Sequence, residues 1–293
     1  TCTLVFEIED VPHHGPLVPW TIGKGDDGKR YAHSWKWTGF QPTQEFVAFN
    51  GMMRAKTFDE FKKAADHFSV GAQNFVYADT SGHIGWYPSH ELPIRDDWKN
   101  TPPFLPLPGT GTSEWNGSVP RSELPQAYDP ESGYLLTANA DPRGYSFDGD
   151  VLNDGEHYIG FMWDAGFRVS RINQRLEASF KAAAKLTPED MMSIQADKRS
   201  ALGTRLRDSL VTALLAAKAG SDESTKALWS SSMDPVLTLL EDWDLDATDG
   251  SAATVGSAEA QSAAAAAVFN VWLTYLVNNV LDEKTGLAGL EDR

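Results

Sequence analysis

The hydrophobic pattern changes period partway along the chain. Over residues 1–165 apolar positions fall in short alternating runs broken by Pro, Gly and polar turns. "TLVFEI" (3–8), "NFVYAD" (74–79) and "IGWYP" (84–88) alternate as strands with one buried face do. "TSGH" separates the last two and predicts a hairpin with Ser81-Gly82 at the bend. All three strands are expected in a mostly antiparallel sheet. "HHGPLVP" (13–19) reads as a turn into a further strand, and "SWKWTGF" (34–40) alternates large aromatics with polar residues. One segment breaks the pattern: Phe58, Phe61, Ala64, Ala65 and Phe68 recur at helical spacing, and Thr57 with Glu60 predicts a capping box. The stretch 100–120 is too rich in Pro and Gly for regular structure. It should be an ordered loop, because it carries Phe104, Leu105, Leu107 and Trp115.

After residue 166 the spacing becomes helical. Residues 168–180, 186–217, 224–243 and 257–281 read as amphipathic or apolar helices, with Thr187 as an N-cap and Pro188 at the first helical position. Strands first and helices afterwards argue an α+β fold rather than a doubly wound parallel sheet. The expected organisation is a β-rich part, 1–165, and a mainly helical part, 166–293, of one subunit with no independent domain boundary. The longest apolar stretch, 262–277, is shorter than the ~20 residues that span a bilayer and is interrupted by Asn270, so it predicts a buried helix and no membrane insertion.

Composition narrows the function classes. The chain has 293 residues, and its formal charge of −16 would repel a nucleic-acid backbone, so no nucleic-acid partner is expected. "KRSALGTRLR" (198–207) reads as a solvated helix face. A single cysteine, Cys2, permits no intrachain disulfide. "TCTLVFEIED" has no basic region followed by an apolar run, so no signal peptide is expected in it, and it reads as a strand entered without a starting Met. A processed chain or a fragment is the expectation.

Several chemistries can be tested on spacing. "DWDLDATDG" (242–250) places acids at alternate positions, but the sixth and twelfth positions of a calcium loop would be Ala247 and Ala253, so an EF-hand fails and an acidic helix-terminal loop is expected. His13 and His14 could be a ligand pair, but neighbours on a strand point to opposite faces and are not expected to share a metal. No CxxC, HExxH, P-loop or GxSxG motif is present. Thr1 formally qualifies as an N-terminal nucleophile, whose own α-amine would act as base. In "GYLLTANADP" (133–142) an apolar run ends at Asn139, which is either a turn residue or an amide at the rim of an active site. A non-catalytic ligand- or carbohydrate-binding protein is one reading, because ten tryptophans could stack on sugars; core packing and an apolar pocket are the simpler use for them.

The phrases "HHGPLVP", "SWKWTGF", "FNGMMRAKTFDEFKKA", "QNFVYADTSGHIGWYPSHELPIR", "LPLPGTGTSEWNGSVPRSELPQAYDPESGYLLTANADP", "WDAGFRVSRI" and "LTPEDMMSIQADKRS" together resemble, in order and spacing, part of the β-chain of the penicillin acylase family. These are N-terminal-nucleophile hydrolases, with acyl-homoserine-lactone acylases as close relatives. The resemblance implies an αββα sandwich and hydrolysis of the amide bond of N-acyl compounds. It implies a catalytic N-terminal Ser upstream of this chain, so residues 1–293 alone are expected to hydrolyse nothing. Asn139 matches the family's oxyanion-donating asparagine, although Ala140 stands where a second Asn is common. Arg168, with Arg171 as the alternative, matches the arginine that supports that amide. A structural Ca²⁺ is implied, with the Pro103 carbonyl and the Asp150 carboxylate among its ligands and Asp148 as the alternative acid; no organic cofactor is implied. The implied partners are an α-chain and the remaining β-chain segments from the same precursor, and the implied location is periplasmic or secreted.

Overall fold

A computed structural model of the protein describes residues 7–142, 150, 152–153, 155–182, 185–220, 223–227, 229–251 and 253–285. The chain divides into two compact units, Thr1–Val169 and Ser170–Arg293. Most of the strand expected at 3–8 lies outside the described residues, as do Thr1, Cys2 and Asp148.

The first unit opens on two small hairpins, β1 (Asp10–Val11) with β2 (Gly15–Pro16) and β3 (Gly23–Lys24) with β4 (Arg30–Tyr31). Gly15 sits at φ +85°, and a Cβ there would lie 2.4 Å from the Trp35 carbonyl, so only glycine fits this turn. Helices α1 (Glu45–Met52) and α2 (Phe58–Ala65) follow. They lead to an antiparallel sheet in the order β5 (Gln73–Ala78), β6 (Ile84–Ser89), β7 (Ala127–Tyr128). The hairpin is the expected one: Ala78 pairs with Ile84, and Gly82 takes φ +92° at the bend. Asp79 Oδ1 holds the bend by accepting from the backbone N–H of Ser81 (2.9 Å) and His83 (3.1 Å).

Packing follows from the helical spacing of α2. Phe58, Phe61 and Ala65 form one face and bury against Tyr87 of β6, with Phe75 and Tyr77 alongside. Gly85 admits the closest approach, since a Cβ there would stand 2.3 Å from the Phe58 ring. The predicted cap is half a box. Thr57 Oγ1 accepts from Glu60 N at 3.2 Å, but the Glu60 carboxylate reaches past Thr57 to Lys56 N at 2.8 Å. Helix α1 was not legible, because its apolar residues circle the axis instead of forming a stripe. It forms against α2, where Gly51 approaches so closely that a Cβ would lie 2.6 Å from Ala64 Cβ. The 100–120 loop is ordered chiefly by its backbone. Ile94 N donates to Gly117 O (2.9 Å) and Val119 N to Leu92 O (2.8 Å), and Leu92, Val119 and Leu124 bury together, whereas Leu105 is exposed.

Helix α3 (Phe167–Lys181) precedes α4 (Pro188–Gln195), α5 (Ala201–Ala219), α6 (Glu223–Lys226), α7 (Asp234–Glu241) and α8 (Ala258–Thr285). Thr187 caps α4 in a full reciprocal box with Asp190. The core of the second unit joins Leu210 of α5, Leu240 of α7, Trp243 and Leu245 of the following loop, and Ala265, Ala266 and Phe269 of α8. The 198–207 segment is more than a solvated face: Arg199 Nη1 donates to Asp244 O (3.0 Å), and Arg207 Nη1 donates to Leu240 O and Glu241 O (both 3.1 Å). Arg207 thereby satisfies carbonyls that a helix end leaves orphaned. Helix α8 also outruns the apolar stretch. The Ala-rich start and the Asn, Asp and Lys residues after 277 carry it to 28 residues, and Ala258–Val280 is long and apolar enough to cross a membrane by length and composition. Ser262, Ala265, Ala266 and Phe269 bury one stripe, while Val271, Tyr275 and Val280 are exposed, so the expected burial holds on one face. Of the ten tryptophans only Trp98 and Trp243 are buried, with Trp272 packed partly buried against the second core, so core packing does not account for most of them.

Candidate active-site amide

Asn139 is held by a small set of contacts. The run Tyr134–Thr137 is irregular rather than strand, and it delivers a buried Ala138 followed by Asn139 at φ +58°. Among the coded residues Asn tolerates that left-handed conformation best after Gly, which gives one local reason for its presence. The Asn139 carbonyl accepts from Asp164 N at 2.9 Å, so the 139 turn is tied to the segment preceding α3. Gly166, at φ +83°, turns that segment into the helix and donates its N–H to Asp164 Oδ1 at 3.2 Å.

Arg168, in the first turn of α3, closes the arrangement. Its Nη2 donates to the Ala138 carbonyl (2.9 Å), to Asn139 Oδ1 (3.0 Å) and to Asp164 Oδ2 (3.1 Å), and its Nε reaches the same carboxylate oxygen at 3.1 Å. Because a guanidinium only donates, it selects the oxygen end of the Asn139 amide. The planar amide then turns Nδ2 away from Arg168, and among the described residues Nδ2 meets no acceptor. The side chains of Asn139 and Arg168 are exposed on the chain as it stands. The structure thus brings together the two residues singled out in the sequence as oxyanion donor and support. Asp164, which fixes Arg168, was missed; its spacing four residues before Arg168 is the signal that would have found it.

Arg171, the alternative support, is paired within the second unit. It forms a two-pronged ion pair with Asp197, Nε to Oδ1 at 3.0 Å and Nη2 to Oδ2 at 2.7 Å, and Arg175 Nη1 adds a third contact at 2.5 Å. The Arg171 guanidinium, then Arg175, hold the Asp197 carboxyl far below the usual carboxylate range.

The residues singled out for calcium lie on separate loops. Pro103 is half-buried in the turn after Thr101 and lines a cavity. Asp150 is exposed; its Oδ1 accepts from Leu152 N at 3.0 Å and its carbonyl from Asn153 N at 3.4 Å. A carbonyl and a carboxylate are suitable hard donors, but they are two of the roughly six to eight oxygens calcium takes. The strand argument against a shared His13-His14 ligand pair does not hold. Both lie in the β1–β2 turn, their rings 4.1 Å apart, and their nitrogens and a Glu114 oxygen fall within 4.8 Å of one another. Glu114 is already engaged, by Lys36 Nζ at 2.8 Å and His14 Nε2 at 2.5 Å, and Lys36 first and then His14 hold its carboxyl down to about 2.

The α+β fold around this turn is that of the N-terminal-nucleophile hydrolases. The chain resembles a thermostable penicillin G acylase from Alcaligenes faecalis with a TM-score of 0.55 and 22% identity, over 83% of this chain and 39% of that one. It belongs to the penicillin amidase family, whose model matches residues 8–293. Among its relatives are penicillin G acylase from Escherichia coli, 28% identical over 86% of this chain and 26% of that protein, and a penicillin acylase 2 proenzyme from a Pseudomonas species, 28% identical over 67% and 23%. An acyl-homoserine lactone acylase from Pseudomonas fluorescens is 24% identical over 66% and 22%. The chain spans about a quarter of the length of these curated relatives.

Proposed function

We propose that this chain is part of an amidohydrolase that cleaves N-acyl amides of the penicillin or acyl-homoserine-lactone type, and that Asn139 donates a hydrogen bond to the oxyanion. The observation that carries the reading is the 3.0 Å contact from Arg168 to Asn139 Oδ1, which orients Nδ2–H outward. The nucleophile is an N-terminal Ser on a segment outside this chain. Its attack turns the substrate carbonyl into a tetrahedral oxyanion, which collapses to an acyl-enzyme with loss of the amine; water then releases the acid. Asn139 acts at both tetrahedral stages. An amide fixed before reaction needs no reorganisation as charge develops, and one such donor is typically worth about 3–4 kcal/mol of barrier. Arg168, itself paired with Asp164 at 3.1 Å, acts by positioning that amide.

The same reading includes an α-chain and further β-chain segments as partners, which would cover the exposed amide and exclude water. It also includes a periplasmic or secreted location and a structural Ca²⁺ with the Pro103 carbonyl and Asp150 carboxylate among its ligands. The test is hydrolysis of phenylacetyl-p-nitroanilide and of an acyl-homoserine lactone by the full-length protein and its Asn139→Asp variant. Turnover of at least one substrate by the wild type, lost in the variant, is expected, because a carboxylate facing the oxyanion repels it. Equal turnover by both would remove Asn139 from the mechanism.

A further inference from the structure

The first unit contains a cavity of about 440 Å³, whose lining includes Trp35, Leu105, Leu107 and Trp115 and none of the residues of the Asn139 turn. Two long cations, Lys36 and Arg95, also line it. Both lie against the Trp115 ring, Lys36 Nζ at 5.0 Å and the Arg95 guanidinium at 5.8 Å from its centre, and Arg95 stands equally far from the Tyr158 ring.

The two cations differ in one respect. Lys36 is neutralised by Glu114 at 2.8 Å. Arg95 has no carboxylate within salt-bridge distance among the described residues, and its one hydrogen bond there is from Nη1 to the Pro93 carbonyl at a long 3.3 Å. Its acidic neighbours are turned to other work: Asp96 accepts from Asn116 Nδ2, and Asp97 from Asn100 and Thr101. Burial pushes the Arg95 pKa down, as expected of a cation removed from water without a counter-charge. In a chain of net charge −16, an arginine left without an acid beside an aromatic-walled cavity is a specific arrangement. Ligand sites combine such volumes and apolar walls with one or a few fixed polar groups.

We propose that this cavity binds a small monocarboxylate with an apolar body, the carboxylate on Arg95 and the body against Trp35 and Trp115. A guanidinium offers paired N–H donors matched to a carboxylate, and the flat indoles accept an aromatic or aliphatic chain. The inference stands whether or not Asn139 is the oxyanion donor.

The experiment is calorimetric titration of the full-length protein with 3-phenylpropionate and, as the uncharged match, 3-phenylpropan-1-ol. Saturable one-to-one binding of the acid, at least tenfold tighter than the alcohol, is expected. Arg95→Gln should weaken the acid roughly ten- to hundredfold and leave the alcohol unchanged, and Arg95→Lys should recover part of the loss. Ser113→Phe, which fills the cavity without removing Arg95, should abolish binding of both, and so serves if Arg95→Gln fails to fold. Acid binding insensitive to Arg95→Gln or, where that variant is unfolded, to Ser113→Phe would overturn the proposal. So would absence of acid binding in the wild type, the result expected if a carboxylate from the rest of the polypeptide already occupies Arg95.

Discussion

Replacing Asn139 by Ala and, separately, by Gly distinguishes catalysis from turn geometry. Both changes remove the amide, but they differ at the backbone. Asn139 holds φ +58°, and an ordinary L-residue pays about 1–2 kcal/mol there that glycine does not. Both variants also lose the 3.0 Å bond from Arg168, a group whose side chain is 58% exposed, so that loss should stay below about 1 kcal/mol. Glycine adds unfolded-state freedom, a further ~0.4–1 kcal/mol. The expected order of melting temperature is therefore wild type, then Gly, then Ala. The kinetic expectation is different: kcat for an N-acyl anilide should fall about 10²–10³-fold in both, with KM little changed, because the amide serves the oxyanion more than the ground-state carbonyl. The assay is steady-state hydrolysis with thermal denaturation of the same preparations of the full-length enzyme. If kcat followed melting temperature, with Gly near wild type and Ala impaired, Asn139 would be a turn residue and the oxyanion reading would fail.

Three further outcomes can be checked. Phe269 is fully buried between Trp243 and Trp272, and Phe269→Ala should destabilise the second unit by about 3–5 kcal/mol in denaturant unfolding; a cost under about 1 kcal/mol would contradict the packing described. Asp197→Asn should cost about 2–4 kcal/mol at pH 7, since it leaves Arg171 and Arg175 facing a neutral amide. Because the folded-state pKa of Asp197 is depressed, its contribution is present above the ordinary carboxylate pKa and is lost as pH falls towards the depressed value. The stability gap between variant and wild type should therefore narrow below about pH 4, and a gap that widened on acidification would refute the assignment. If Pro103 and Asp150 share a calcium ion, chelation should lower the melting temperature of the full-length protein and added Ca²⁺ should restore it, with both oxygens about 2.3–2.6 Å from the ion; an unchanged melting temperature would exclude a structural ion there.

What could be read from the sequence was local. The Ser81-Gly82 bend, the α2 stripe and the Thr187 cap each depend on residues a few positions apart, and each stands as expected. What escaped depends on distant partners. Helix α1 has no stripe and forms where Gly51 lets it meet Ala64; β7 is two residues long and exists because Trp86 pairs with Ala127. The His13-His14 error has the same origin, for a strand was assumed where a turn gathers both rings beside Glu114, a hundred positions away. Asn139 stood out where the apolar run ends, but its pairing with Arg168 was legible only through the resemblance. No periodicity links positions 29 apart, and the left-handed backbone at Asn139 leaves no trace in hydropathy.

The contacts of Arg168 show how the Asn139 amide is set by nearby residues of the same segment. Among the described residues, the contacts that set the amide lie inside residues 138–168: Asp164 N donates to the Asn139 carbonyl, and the Arg168 guanidinium donates to Asp164 Oδ2, Ala138 O and Asn139 Oδ1. Arg168 cannot accept a hydrogen bond, so it cannot tolerate the flipped amide; the orientation is set by chemical type and not only by packing. Lysine at 168 would keep the charge but offers one nitrogen in place of a fork. It could not hold Asp164 through two nitrogens while bridging Ala138 and Asn139, so the amide would regain rotational freedom although the electrostatics changed little. Preorganisation therefore rests on the geometry of the fork, and an Arg168→Lys enzyme should lose kcat with its net charge intact.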